Sequence, residues 1–416
     1  MTVEISKKIH EWTAPDSLKE KQVPEPWTVK RVIKIAINIL LFIPRLIINS
    51  IVSLMVVPSQ IMTTKIFRLI DFLGIIRDAY CPTHAKLLEQ CKNRNYNAFD
   101  IERIKLTTTR KHKISGTLFR SKKARATDGS PTQENIPTVI CFNPNSRPHT
   151  NWALFYNDPL DIIQKAADSH GKAVNVLMID YPGVGLSEGY ADARTLQEAA
   201  ITADAYVQDV LKVDRDRIHY FGWSLGSFVS ANLATKHAED TGLLILDKGG
   251  ISIVEAPSEA LKQLENKLAD IRWIGWILAV IPRIAHWILK KMTDNSDWKK
   301  AFNTMDNIDH TNREVICLYS TKDEVFQTEV NLGPEILKTD NQKKYVKNNR
   351  KITAIHIEPN LGEVHADEVY YHGLALNHSK GTYKREDGTD ASTTDITGLI
   401  VRKIIEKNYP SIASAA

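Results

Sequence analysis

A serine hydroxyl becomes a useful nucleophile only when a base can take its proton, and one serine of this chain stands where that chemistry is favoured. Ser224 lies in the run Gly222-Trp223-Ser224-Leu225-Gly226, between the apolar stretch IHYF and the helical stretch SFVSANLATKHA. A bare Gly-x-Ser-x-Gly arises by chance in roughly one chain in ten of this length, so the context carries the argument. A strand that feeds directly into a helix forces a sharp turn. Such a turn strains the serine backbone and sets the hydroxyl at the helix N-terminus. The flanking glycines are small because neighbouring backbone must pass close by. The amide of Leu225 is then expected to supply half of an oxyanion hole.

The serine also needs a base and an acid, expected in the chain order Ser, Asp, His. Asp323, in STKDEV directly after the apolar run VICLYS, is the expected acid. Glu324 is its neighbour and an alternative, and Asp247 at the end of LLILD is the rival position, otherwise a turn or helix cap. For the base, His365 in LGEVHADE follows the run ITAIHIE at the expected loop. His372 and His378 lie shortly beyond it, and spacing alone does not exclude them. His356 falls inside the run and is expected to pack within the sheet. In this reading His365 takes the Ser224 proton and returns it to the leaving group, while Asp323 orients the ring.

The elements that must bring these groups together are legible as short, continuous, β-branched-rich runs alternating with helical stretches. TVICFNP, NVLMIDY, IHYFG, LLILDKG, VICLYS and ITAIHIE read as strands covered on both faces by helices, hence a mostly parallel central sheet. IERIKLTTTR and KISGTLFRS read as an opening β-ribbon. Residues 101–250 and 310–416 form the expected α/β core. Residues 251–309, with Trp273, Trp276 and Trp287, are too long for a crossover helix and read as an inserted helical lid after the sixth strand. Its tryptophans are the core of a small subdomain, the lining of an acyl pocket, or a membrane contact.

Residues 1–100 form a helical, apolar and basic N-terminal extension. No acidic residue occurs between Glu25 and Asp71, whereas Lys30, Arg31, Lys34, Arg45, Lys65 and Arg68 are basic. The segment Ile35–Val57 is long enough to span a bilayer, but Pro44-Arg45 divides it. An arginine at mid-membrane costs roughly 2.5–3.5 kcal/mol. Three readings follow: peripheral contact with an anionic membrane through residues 30–68, a pair of helices packed on the core, and a span, with peripheral contact expected ahead of the other two.

Together, DYPGVGLSEG, GWSLG, STKDEV and GEVHADE resemble the α/β-hydrolase superfamily over about residues 101–407. The run Asp180-Tyr181-Pro182-Gly183-Val184-Gly185-Leu186-Ser187 is similar to a D-x-x-G-x-G-x-S turn of many esterases and lipases. The resemblance implies a structural role for its aspartate and glycines. The layout, with an apolar N-terminal extension, is also similar to lipase-like effectors of intracellular bacteria, such as the Legionella SidB group and the chlamydial CHLPS-type proteins. One departure stands out. Where the superfamily shows His-Gly or Gly-Asn, this chain has Asn143-Pro144-Asn145-Ser146-Arg147. Proline has no N–H to offer, so the second oxyanion donor falls to Asn145 or Ser146. Arg147, His149 and Trp152 are expected to line or rim the same mouth.

Composition excludes several classes. A net charge of +5 spread along 416 residues, without a zinc-finger or RNP-like motif, gives no reason to expect nucleic acid as a partner. The four cysteines form no C-x-x-C pair, which argues against a disulfide framework or zinc site and for a reducing compartment. No apolar h-region opens the chain, so a cleaved signal is not expected. The location is cytoplasmic or membrane-associated, and the effector resemblance implies delivery into a host cell. The expectation is hydrolysis of an ester or thioester of an acyl lipid through acyl-Ser224, with no metal or cofactor. The alternatives are an inactive scaffold that binds a lipid or protein, and a peptidase or acyltransferase on the same fold.

Overall fold

The six apolar runs become neighbouring strands of one sheet. The structure, a computed structural model, describes residues 9–18, 84–124, 135–145, 148–156, 158–253, 297–326, 329–348, 350–359, 371–376, 379–384 and 389–409, with a few scattered positions between 254 and 296. The strands are β1 (His10–Thr13), β2 (Phe99–Thr107), β3 (Lys113–Ser121), β4 (Thr138–Phe142), β5 (Asn175–Ile179), β6 (Ile218–Trp223), β7 (Leu243–Asp247), β8 (Glu314–Tyr319), β9 (Ile352–Pro359), β10 (Ser379–Lys384) and β11 (Asp390–Thr393). They form one eleven-stranded sheet in the order β1-β2-β3-β5-β4-β6-β7-β8-β9-β10-β11. Pairing is parallel from β5 through β4, β6, β7 and β8 to β9. The ribbon β2–β3 and the β9–β10–β11 meander are antiparallel.

The helices lie on both faces: α1 (His84–Asn93), α2 (His149–Phe155), α3 (Asp158–His170), α4 (Ala193–Asp209), α5 (Leu225–Lys236), α6 (Asp297–Ala301), α7 (Thr304–Asp309), α8 (Leu332–Ile336), α9 (Thr339–Lys347) and α10 (Ile396–Asn408). Every residue of β4, β5, β6 and β7 is buried. The pleat sends alternate side chains into two cores. Ile140 and Phe142 join α4 and α5 on one face, while Val139 and Cys141 join α1, α3 and α10 on the other. Two-sided burial explains why these strands are continuous apolar runs rather than alternating ones.

Helix α5 is buried from Leu225 to Ala234, so its apolar residues run all round it. Helix α4 opens on a capping box: the Asp192 carboxylate accepts from the Arg194 and Thr195 amides, and the Thr195 hydroxyl accepts from the Asp192 amide. A cap of this kind stabilises a helix by about 1 kcal/mol.

The sheet is wider than the sequence pattern suggested. His10–Thr13 pairs in parallel with β2, and α1 packs Leu87 and Cys91 into the core. Parts of the expected N-terminal extension thus belong to the sheet domain, and the strand before the expected lid becomes the seventh. Residues 30–68, including Ile35–Val57, lie outside the described residues, as does most of 251–309 with Trp273, Trp276 and Trp287. Among the described residues no helix is long and apolar enough to cross a membrane.

Candidate active site

A serine, a histidine and an aspartate meet at the C-terminal ends of the parallel strands. Strand β6 runs straight into α5, and Ser224 between them has φ 53° and ψ −115°. A non-glycine residue in that region is strained, and the strain is held by its surroundings. The Ser224 amide donates to the Asp247 carbonyl at 2.8 Å, and the Ser227 hydroxyl donates to the Gly222 carbonyl at 2.8 Å. A Cβ on Gly226 would lie 1.8 Å from the Phe142 carbonyl oxygen, so only glycine lets α5 begin against the end of β4.

The imidazole that meets Ser224 belongs to His372. Its Nε2 lies 2.9 Å from Ser224 Oγ, and its Nδ1 lies 2.9 Å and 3.0 Å from the two carboxylate oxygens of Asp323. An Nδ1–H donating to Asp323 leaves the Nε2 lone pair facing the serine hydroxyl. All three side chains are buried, with residue exposures of 6% for Ser224, 3% for Asp323 and 7% for His372. Asp323 comes from the turn after β8, where its Oδ1 also accepts the Val325 and Phe326 amides at 2.8 Å and 2.7 Å. The Phe326 ring packs 5.5 Å from the His372 ring.

Ser224 and Asp323 stand on either side of His372. His365 lies outside the described residues, as does His378, and the histidine at the nucleophile is one that spacing left as an alternative. His356 is in β9 beside Tyr319, with ring centroids 5.2 Å apart. The Glu324 carboxylate is not the one on the His372 ring; it accepts the main-chain amides of Tyr371 and His372, each at 3.0 Å.

Asp247 is likewise not the carboxylate on the His372 ring and pairs with its neighbour instead. The buried ammonium of Lys248 donates to both its carboxylate oxygens, at 2.7 Å and 2.9 Å. Burial raises the Asp247 pKa, and the Lys248 charge acts against that rise. Asp158, at the start of α3, is pushed well up by burial and then by the Asp247 charge. Its Oδ1 accepts the Leu376 amide at 2.9 Å, just past the histidine turn.

Leu225 is the first residue of α5, so its amide has no intrahelical acceptor. Asn145 sits half-buried in the turn after β4, and Ser146 and Arg147 lie outside the described residues. The Asn143 carboxamide faces away from this role: its Nδ2 donates to the Ile179 carbonyl at 2.8 Å and to Asp180 at 3.2 Å. Asp180 Oδ1 also accepts the His149 amide at 2.7 Å and lies 2.9 Å from His149 Nδ1. One carboxylate oxygen therefore clips both ends of the 143–149 loop to the end of β5. A Cβ on Gly185 would lie 2.3 Å from Asp180 Oδ2, and its φ of 56° is left-handed, which accounts for glycine there.

His149 and Trp152 differ from expectation. Both are buried, His149 against Thr117 at 2.7 Å and Trp152 between Phe221 and Trp223, so neither rims the mouth. The pattern alone does not distinguish a rim from a core position in so short a helix. Among the described residues no group of histidine, cysteine or carboxylate side chains could hold a metal ion.

Residues 144–315 match the model of the alpha/beta hydrolase family. Over that stretch the chain matches the family, and its fold is that of an α/β hydrolase: a mostly parallel sheet with flanking helices. The alpha/beta hydrolase domain-containing protein WAV2 of Arabidopsis thaliana is 28% identical over 152 residues, which cover 36% of this chain and 44% of that relative. The chain thus matches less than half the length of that protein. Among solved structures, an alpha-beta hydrolase from Vibrio vulnificus is 15% identical with a TM-score of 0.43, covering 70% of this chain and 85% of the other. An esterase from Pyrococcus furiosus is 14% identical with a TM-score of 0.39, covering 63% of this chain and 83% of the other. An acetyl xylan esterase from Paenibacillus sp. R4 is 11% identical with a TM-score of 0.38, covering 62% and 78%.

Proposed function

We propose that the protein is a serine hydrolase that cleaves an ester or thioester through an acyl-Ser224 intermediate. The observation that carries this reading is the 2.9 Å separation of Ser224 Oγ from His372 Nε2, with His372 Nδ1 on Asp323. As Oγ attacks the carbonyl carbon, Nε2 takes its proton, and the imidazolium is stabilised by the Asp323 carboxylate. Collapse of the tetrahedral intermediate expels the alcohol or thiol, which receives that proton from Nε2. Water, deprotonated by the same nitrogen, then attacks the acyl-enzyme and frees Ser224.

The Leu225 amide supplies one oxyanion donor. The second comes from Asn145, because Pro144 has no N–H and the Asn143 carboxamide is spent on Ile179 and Asp180. An acyl-lipid substrate is supported by the apolar, basic stretch at residues 30–68 and by the tryptophan-bearing segment 251–309. Leu186, Tyr190 and Val325 are also exposed on the loops after β5 and β8, at the same end of the sheet as the triad. The same features favour peripheral contact with an anionic membrane, to be read by liposome flotation with and without residues 35–57.

Ser224→Ala is expected to abolish turnover of short p-nitrophenyl esters and labelling by a fluorophosphonate probe, with the melting temperature unchanged. Undiminished turnover in that variant would overturn the assignment. Pro144 in the oxyanion loop favours one other reading, a scaffold that binds without turning over. Absence of probe labelling on folded wild-type protein would select it.

A further inference from the structure

His372 rests on a short 3-10 turn, Tyr371–Gly373. One such turn has little stability of its own, so something else must fix the position of the ring. Four polar atoms of the residue are held. Nε2 faces Ser224 Oγ and Nδ1 faces Asp323, as above. The main-chain amide donates to Glu324 Oε2 at 3.0 Å, and the main-chain carbonyl accepts the Trp223 indole N–H at 3.2 Å. Two dipeptides therefore grip one histidine. Trp223-Ser224 takes the carbonyl and Nε2, and Asp323-Glu324 takes the amide and Nδ1.

The grip extends by one residue. The second Glu324 oxygen accepts the Tyr371 amide at 3.0 Å, and Lys322 Nζ donates to the Tyr371 hydroxyl at 3.3 Å. Glu324 is an exposed carboxylate with both oxygens turned onto the backbone of a three-residue turn. An exposed glutamate whose only duty was solubility would leave them in water.

We propose that Glu324 and Trp223 are positioning residues for the base, holding the His372 main chain while their chain neighbours hold its side chain. This deepens the serine-hydrolase reading and rests on it. Proton transfer over 2.9 Å tolerates little displacement, since an error of about 1 Å at a reacting group costs on the order of 100-fold in rate. Loss of either main-chain tether lets the turn shift while the substrate pocket stays as it was.

The test is a set of thermodynamic cycles on p-nitrophenyl butyrate hydrolysis, using Glu324→Ala, Glu324→Gln and Trp223→Phe, each in the wild-type and the His372→Ala background. In the wild-type background Glu324→Ala is expected to lower kcat by about 10- to 100-fold and Trp223→Phe by about 3- to 10-fold, with KM within twofold. Glu324→Gln keeps one acceptor oxygen and is expected to fall between Glu324→Ala and wild type. In the His372→Ala background none of the three is expected to change the residual rate by more than about twofold, because each acts through the imidazole.

Equal losses in both backgrounds, or a KM effect as large as the kcat effect, would show general structural damage and overturn the inference. Wild-type kcat in Glu324→Ala would do the same. Should Glu324→Ala fail to fold, the Glu324→Gln and Trp223→Phe cycles decide the matter alone. Full activity in His372→Ala itself is a different failure, which removes the triad reading and the tethers with it.

Discussion

A base is defined by what it can reach, and at the scale of single residues His372 alone among the described histidines faces Ser224. His372→Ala is expected to lower kcat/KM on short esters by roughly 10⁴-fold or more, while His365→Ala changes it by no more than about threefold. Steady-state kinetics on the two purified variants checks this, and a reversed pattern would transfer the role to His365. The positions of the proposed nucleophile and acid were legible in the sequence because each follows an apolar strand by a fixed, short step. The base was not. It follows β9 through a stretch whose length the strand pattern leaves free, so His365, His372 and His378 satisfied the same chain order. The signal nearest to a discriminator was Gly373, directly after His372, which permits a tight turn. It is weak, because glycine is common in loops. Glu324 shows the same limit: its neighbour's place in the strand pattern announces an acid, but nothing local announces that its own oxygens bind a backbone 47 residues on.

At the scale of elements, the strand-to-helix elbow is a packing constraint as much as a catalytic one. Gly226→Ala would place a methyl 1.8 Å from the Phe142 carbonyl oxygen and 2.6 Å from its carbon, both backbone atoms that no rotamer change can move aside. The expected cost is about 3 kcal/mol or more, read by chemical denaturation. Native stability in that variant would mean that α5 and β4 do not approach as described. Next to the elbow, Lys248→Met strips the buried Asp247 carboxylate of its counter-charge. That change is expected to cost about 3–5 kcal/mol, whereas the double change Asp247→Leu/Lys248→Met recovers most of it. A loss under about 1 kcal/mol in the single variant would refute the buried pairing. The parallel strands were readable because burial on both faces leaves an unbroken apolar run. Strands β1, β10 and β11 were not, because at the margins of the sheet they expose much of their length and carry HEWT, SKGTYK and DAST, which read as polar loop.

Across the whole molecule, the Ser224–His372–Asp323 group and the buried His219 lie at opposite ends of the sheet. His219 lies near the start of β6, fully buried. Its Nδ1 accepts the Leu243 amide at 3.0 Å and its Nε2 lies 2.8 Å from the Asn408 carboxamide of α10. Burial, with the nearby charges of Arg313 and Lys407, lowers its pKa from the ordinary 6.5 to about 3. Above pH 6.5 neither the folded nor the unfolded chain carries that proton, and the contribution to stability is complete. Between 6.5 and about 3 only the unfolded chain binds it. Folding then loses about 1.4 kcal/mol for each pH unit, roughly 3 kcal/mol by about pH 4. Asp204 acts in a lower window: burial pushes its pKa up, but the hydrogen bond from His237 and the Arg215 charge outweigh that and hold it below 3.8. Its contribution is therefore present above that value and lost only as pH falls through its folded pKa. His219→Gln, which keeps a hydrogen-bonding side chain without the titration, is expected to flatten the fall of the melting temperature between pH 6.5 and 4 and to leave the steeper fall below it. Calorimetric scans of both proteins across that range provide the check. Parallel curves would show that His219 is charged in the folded protein, and that acid unfolds the sheet from some other point.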